Sequence, residues 1–282
     1  MKEDTEWTME IHSRSGWFNI DLAELWRYRD LIILFVRREF VAVYKQTILG
    51  PAWFLLPPLF TAIVFAIIFG SIARIPTDGQ PPVLFYLAGI IAWTYFSNCM
   101  TATSNTFIAN SGIFGKVYFP RLVIPVSIVI VNIFSFLIQF GLFLIIYLYY
   151  LISGAPISPN IWLCLVPLLL IQMAALGLGM GILISSLTTR YRDLTFALGC
   201  GIQLWMYATP IVYPLSQVPH QWIWLISLNP MTAVVESFRF AFLGSGMIQS
   251  WQIVLSLVIT AFILFLGIVF FSKVERSFMD TV

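Results

Sequence analysis

Five stretches of this chain carry no Lys, Arg, Asp or Glu: Gln46–Ala73, Gly79–Gly115, Leu122–Thr189, Leu194–Val235 and Phe240–Ser272. About 20 apolar residues suffice to cross a bilayer core of roughly 30 Å. The 68-residue run Leu122–Thr189 is too long for one crossing and divides at the turn-forming cluster Ser153-Gly154-Ala155-Pro156-Ile157-Ser158-Pro159-Asn160. Six spans follow, near 51–72, 84–107, 123–150, 162–187, 195–213 and 251–272. Only 10% of the 282 residues are charged and 60% are hydrophobic, against roughly 25% charged in a soluble domain. These numbers exclude a soluble enzyme, a nucleic-acid binder and a disordered chain. The expected fold is an all-α polytopic membrane protein.

The basic residues sort by side. With the N-terminus cytoplasmic and six alternating spans, 13 of the 15 Lys and Arg fall inside, leaving only Arg74 and Arg239 outside. Loop Lys/Arg bias sets orientation, so both termini are expected in the cytoplasm. The first 20 residues form a polar tail with no apolar core of a secretory signal, and the first span is expected to act as its own membrane address. Cys99, Cys164 and Cys200 lie in three different spans and read as small buried hydrophobes. His12 and His220 fall on opposite sides, which argues against a His-rich metal or haem site.

Ahead of the first span, residues 21–45 read as an amphipathic helix on the cytoplasmic side. Asp21 with Glu24 has capping-box spacing. Trp26, Arg27, Arg37, Arg38 and Lys45 are its aromatic and basic members, and Leu22, Leu25, Trp26, Ile32, Ile33, Val36, Phe40 and Val43 form the apolar stripe. Such a helix lies in the membrane interface or packs on a cytoplasmic partner; the pattern fits both. The adjacent Pro57-Pro58 should interrupt the first span and bend it.

Two cytoplasmic turns are short and charged. The segment 112–121 ends in Gly115-Lys116-Val117-Tyr118-Phe119-Pro120-Arg121, and the second turn holds Arg190-Tyr191-Arg192-Asp193. A phosphate-binding loop needs Gly-x-x-x-x-Gly-Lys-[Ser/Thr], whereas Asn110 occupies the first glycine position and Val117 follows the lysine. No nucleotide site is expected in this chain. In the fourth span Gly177-Leu178-Gly179-Met180-Gly181 is a close-packing signal between helices.

The outer segment between spans five and six, 214–244, is the most irregular. Pro210, Pro214 and Pro219 punctuate it, with Tyr213 among them, and a short apolar stretch runs over Gln221–Leu228. Asn229-Pro230 pairs an N-cap with proline at the first helical position. That helix should stop before Gly244-Ser245-Gly246. Its 14 residues rise only about 21 Å, too short to cross, so a re-entrant pair of outer helices is expected. Glu236 and Arg239, three apart, can pair on it. Such a pair near the bilayer is a functional candidate or a simple orienting pair.

Four stretches together resemble the Wzm-type permease subunits of ABC exporters of lipid-linked polysaccharide: Tyr44-Lys45-Gln46-Thr47-Ile48-Leu49-Gly50-Pro51-Ala52-Trp53, Lys116–Arg121, Tyr191-Arg192-Asp193-Leu194, and Pro214–Pro219 running into Leu228-Asn229-Pro230-Met231. The likeness extends from about Leu22 to the C-terminus. It implies a six-span permease domain over 46–274, a short C-terminal tail over 275–282, and a homodimer bound to two ATPase subunits that hold ATP and Mg. It further implies that Gly115–Arg121 is the coupling segment, that 190–193 is a second ATPase contact, that 21–45 is the interface helix, and that Tyr213, Pro214, Asn229, Pro230, Glu236 and Arg239 belong to an outer gate. The implied substrate is an undecaprenyl-linked polysaccharide such as O antigen, moved across the bacterial inner membrane.

A corridor for glycan needs weak, repeated contacts, and aromatic faces with polar tips supply them. Trp53, Phe60, Gln203, Trp205 and Tyr207 are candidate linings; membrane-interface belts and plain packing are the alternatives. A drug or small-molecule exporter of the same class would share this architecture. An ion-coupled transporter would show ionisable groups within its spans, and the six spans have none. A membrane enzyme needs clustered acids or histidines, yet Asp193 and Glu236 fall on opposite sides.

Overall fold

Backbone inside lipid has to satisfy its own hydrogen bonds, and the uncharged runs do so as helices. The computed structural model describes residues 22–44, 50–114, 116–117, 119–189, 191 and 193–279. The polar tail over 1–20, Asp21 and Lys45 of the expected interface helix, and Gln46 through Leu49 at the start of the expected permease domain lie outside the described residues. Every regular element among the described residues is helical. In chain order these are α1 (Leu22–Arg27), α2 (Arg29–Tyr44), α3 (Leu56–Phe65), α4 (Pro82–Ser104), α5 (Thr106–Phe114), α6 (Val123–Ile152), α7 (Val166–Thr188), α8 (Leu194–Ala208), α9 (His220–Ser227), α10 (Pro230–Leu243) and α11 (Ser250–Met279).

Among the described residues five helical stretches are long and apolar enough to cross a membrane: Ala52–Ile72, Pro82–Ser104, Val123–Ile152, Ile161–Thr188 and Ser250–Glu275. The expected span over 195–213 forms only α8, whose 15 residues rise about 22 Å. Thr209 turns extended (φ −92°, ψ 141°) because a residue before proline avoids the helical region. Pro210 therefore ends the helix inside an uncharged run long enough to cross.

The double proline acts differently from the sequence expectation. A 3₁₀ turn over Gly50–Phe54 precedes α3, and Pro57 and Pro58 occupy its first turn. Amide donors there have no intrahelical acceptor in any helix, so the prolines start α3 rather than bend its middle. The irregularity comes later, where Ala66–Ile72 widens into a π-helical stretch and the Ala73 N–H donates to the Ile68 carbonyl.

The centre of the molecule is α4, packed by α3, α6, α7 and α10. Most of its residues are buried, with Asn98, Thr101 and Ala102 exposed towards its end, and its apolar residues accordingly run round the helix rather than along one stripe. The glycine cluster of α7 works on two sides. A Cβ at Gly177 would stand 2.7 Å from the Cys99 Cβ, and one at Gly181 would run into Thr103, so both admit α4. A Cβ at Gly179 would lie 2.7 Å from the Leu264 Cα, so this glycine admits α11. Between the same helices Gln172 donates to Ser256, whose hydroxyl donates to the Pro230 carbonyl at 2.8 Å. Gln252 donates to the Ser227 hydroxyl at 2.8 Å. These bonds tie α11 to the start of α10 and the end of α9.

Candidate functional site

At the end named outer by the charge bias, helix α10 forms as its sequence dictates. The Asn229 side chain accepts from the Met231 N–H, Pro230 sits in the first turn, and Gly244 closes the helix in the left-handed region (φ 72°). Every α10 residue but Phe240 is buried, so this outer helix lies in the interior of the fold. Glu236 and Arg239 do pair, at 3.3 Å, and both side chains are within 2% of complete burial. The larger role of Arg239 was not visible in the sequence. Its Nη1 donates to the Pro210 carbonyl and its Nη2 to the Ile211 carbonyl, each at 2.6 Å. Its Nε reaches the Phe85 carbonyl at 3.4 Å, and the guanidinium lies 3.7 Å from the centroid of the Phe85 ring. A Cβ at Gly89 would be 2.9 Å from Arg239 Nη2, so that glycine leaves room for the fork. The Pro210 and Ile211 carbonyls, which lie beyond the last turn of α8, are acceptors that a planar five-donor group matches. An isolated glycine within an apolar helix was the one sequence signal for this pocket.

Further bonds fix α10. Asn229 donates to the Thr209 hydroxyl at 2.8 Å, Asn160 donates to the Phe240 carbonyl at 2.8 Å, and Thr232 donates to the Ile226 carbonyl at 2.8 Å. Its neighbour α9 buries only Ser227 and exposes Trp222, Trp224 and Leu225. Ahead of α9, Pro214 and Leu215 are buried, Tyr213 is half-buried, and Ser216 donates to Asp78 at 2.7 Å on the surface.

At the opposite end, the coupling candidates divide. Lys116 and Val117 are exposed; Gly115 and Tyr118 lie outside the described residues. Phe119 is buried against Phe35 and Phe114. Arg121 is also buried, with its guanidinium 5.2 Å from the Phe114 ring centroid. Its Nη1 donates to the Glu275 carbonyl at 2.8 Å, and its Nε lies 3.9 Å from the Glu275 carboxylate. Burial pulls the Arg121 guanidinium below its ordinary pKa and the Glu275 charge opposes that. Arg121 thus fastens α6 to α11, while Lys116 stays on the surface. In the second turn Tyr191 and Asp193 are exposed, and Arg190 and Arg192 lie outside the described residues.

The apolar stripe of α1 and α2 is rotated from the expected one. Leu25, Tyr28, Leu31, Ile32 and Phe35 face the protein, whereas Trp26, Ile33, Leu34 and Val41 are exposed beside Arg27 and Arg37. Phe40 meets Phe134 edge-on at 5.2 Å. Arg38 pairs with Glu39 at 2.5 Å and covers the Phe35 ring.

Of the lining candidates, Trp53, Phe60, Gln203 and Tyr207 stand on exposed faces. Trp205 instead meets Trp93 and Phe96 edge-on at 6.1 and 5.2 Å inside the helix pack. Among the described residues no group of three or more His, Cys, Asp or Glu could hold a metal ion.

Long apolar helices around an enclosed central one define a multi-pass membrane protein. The family model for ABC-2 type transporters matches residues 30–243, and the chain belongs to that family. It is the non-catalytic transmembrane permease, a transport subunit that works with an ATPase partner. The chain is similar to the O-antigen export system permease protein RfbA of Klebsiella pneumoniae, 29% identical over 252 residues covering 89% of this chain and 94% of that protein. It is similar to RfbA of Myxococcus xanthus, 28% identical over 221 residues covering 78% and 82%. It also resembles the polysialic acid transport protein KpsM of Escherichia coli, 24% identical over 246 residues covering 86% and 93%.

Proposed function

We propose that this permease exports a lipid-linked polysaccharide, O antigen foremost, across the bacterial inner membrane. The observation that carries the reading is the near full-length similarity to O-antigen export permeases. The spans supply no coupling chemistry of their own, since Asp, Glu, Lys, Arg and His are absent from them until Lys273 at the end of the last. Energy then comes from ATP and Mg in the partner. In this reading α8 is a shortened fifth crossing, both termini are cytoplasmic, and two permease copies join two ATPase copies. The apolar faces that α3 with its π-helical continuation and α8 leave exposed, with Phe60, Ile67, Leu204 and Tyr207, meet between copies and border the corridor. Lys116 and Val117 touch the ATPase, with Tyr191 and Asp193 as the second contact.

In the re-entrant outer pair α10 is the fixed post and α9 the moving half. Fourteen-residue α10 is tied to α4, to α11 and to the turn after α8, whereas α9 is buried only at Ser227. Deleting the gene tests the cargo: glycan on its lipid carrier accumulates inside the cell and returns to the surface on complementation. Unchanged surface glycan with new sensitivity to a small toxic compound would favour a small-molecule exporter instead.

A further inference from the structure

A cleft of about 450 Å³ opens between α2, the start of the first span, the α4–α5 bend and α6. Its mouth is Arg38 and Glu39, and its floor follows α6 from Ile124 through Ser127, Ile128, Val131 and Asn132 to Ser135. That floor extends about 16 Å along the helix, with Ile124, Ser127 and Ser135 buried on it. Pocket volumes of this size suit a small ligand or a headgroup rather than a whole lipid.

The donors and acceptors lining the cleft are unevenly spent. Asn110 and Asn132 donate their amide N–H to the Thr106 and Ile128 carbonyls of their own helices, at 3.0 and 2.9 Å. Each therefore leaves its Oδ1 free to accept. Ser127 donates to the Ile124 carbonyl at 2.7 Å. Ser135 is only 7% exposed and makes no side-chain hydrogen bond among the described residues. This hydroxyl lines the cleft and can donate to an acceptor bound there. At the mouth the Arg38–Glu39 pair is formally neutral and only about half-buried. Pairs so exposed hold each other weakly, and both can turn to a ligand. Ile124, Ile128, Val131 and Phe54 form an apolar wall.

We propose that this cleft binds a zwitterionic aminophospholipid, with its phosphoethanolamine head at the mouth and its glycerol esters along α6. Arg38 takes the phosphate oxygens, the arrangement guanidinium favours. The ammonium has three donors and no acceptor, matching Glu39 and the Asn110 and Asn132 oxygens. Ser135 donates to an ester carbonyl, and the first acyl carbons lie on the apolar wall. A neutral pair of opposite charges matches a neutral pair of opposite charges. A pyrophosphate-linked glycan would set several negative charges against Glu39 and is disfavoured. The inference needs α2 to lie at the membrane boundary, and it is independent of which polymer is exported.

The test uses the permease purified with its ATPase and reconstituted with equal labelled amounts of phosphatidylethanolamine, phosphatidylcholine and phosphatidylglycerol, read by retained lipid in native mass spectrometry. Phosphatidylethanolamine should be retained about tenfold over phosphatidylcholine, which lacks N–H donors, the difference expected for one charge-assisted hydrogen bond. Glu39→Gln should shift retention toward phosphatidylglycerol, and Asn132→Leu and Ser135→Ala should each lower phosphatidylethanolamine retention. Thermal unfolding and ATPase co-purification of each variant control for folding. Because Glu39 is at the mouth, Glu39→Gln remains informative if Asn132→Leu fails to fold. Equal retention of the three lipids would overturn the proposal. So would competition by soluble O-phosphoethanolamine, which would assign the site to a free metabolite, or displacement by undecaprenyl pyrophosphate, which would assign it to the export carrier.

Discussion

Arg239 is the residue on which the outer half of the molecule turns. A cation sealed from water survives there because two backbone carbonyls, a carboxylate and a ring face surround it. Removing one partner of a buried ion pair costs roughly 3–5 kcal/mol, so Arg239→Met should lower the unfolding temperature of the detergent-purified complex markedly. Arg239→Lys, keeping charge but losing the fork, should fall between. Gly89→Ala should act in the same direction by displacing the guanidinium; a stability equal to the parent would refute the packing assigned to it. The opposite end separates structure from contact in the same way. Lys116→Glu should weaken co-purification with the ATPase while leaving thermal unfolding unchanged. Arg121→Ala should lower the unfolding temperature, because it unfastens α6 from α11. The sequence grouped these two basic residues in one segment because spacing reports proximity along the chain, not burial.

Elements differ as sharply as residues do. The caps of α10 were legible in Asn229-Pro230 and Gly244, because capping is a local matter of side-chain reach and backbone conformation. Its burial was not, since that depends on α4, α7 and α11 arriving from elsewhere in the chain. In hydrogen exchange the amides of α10 should be protected far longer than those of α9; equal exchange would remove the fixed-post assignment. The glycines of α7 divide between two neighbours, with Gly179 against the α11 backbone. Gly179→Val should therefore cost about 1–3 kcal/mol by overpacking, measured as loss of folded protein on thermal challenge. The double proline carries the same lesson. Proline bends a helix it interrupts but starts one it precedes, and only the 3₁₀ turn over Gly50–Phe54 decides between them.

At the scale of the whole molecule, the unpartnered faces of α3 and α8 call for a second copy under the proposed assembly. Leu204→Cys should cross-link permease to permease under mild oxidation in membranes. Absence of the cross-linked species, with Cys200 replaced by Ser in the same background, would exclude that face. The sequence by itself determined the membrane class, the helical fold and the kinship to lipid-linked polysaccharide permeases, because apolar runs of this length without charge are stable chiefly out of water and because four separate motifs kept their order. It also determined where most helices begin and end. Tertiary structure decided the rest: that α8 stops short at Thr209 and Pro210, that Arg121 and Trp205 turn inward, and that Arg239 reads carbonyls from α4 and from the turn after α8. The reason is physical. Hydropathy and capping are settled within a few residues, whereas the partner of a buried polar group is chosen by segments that meet only when the helices pack.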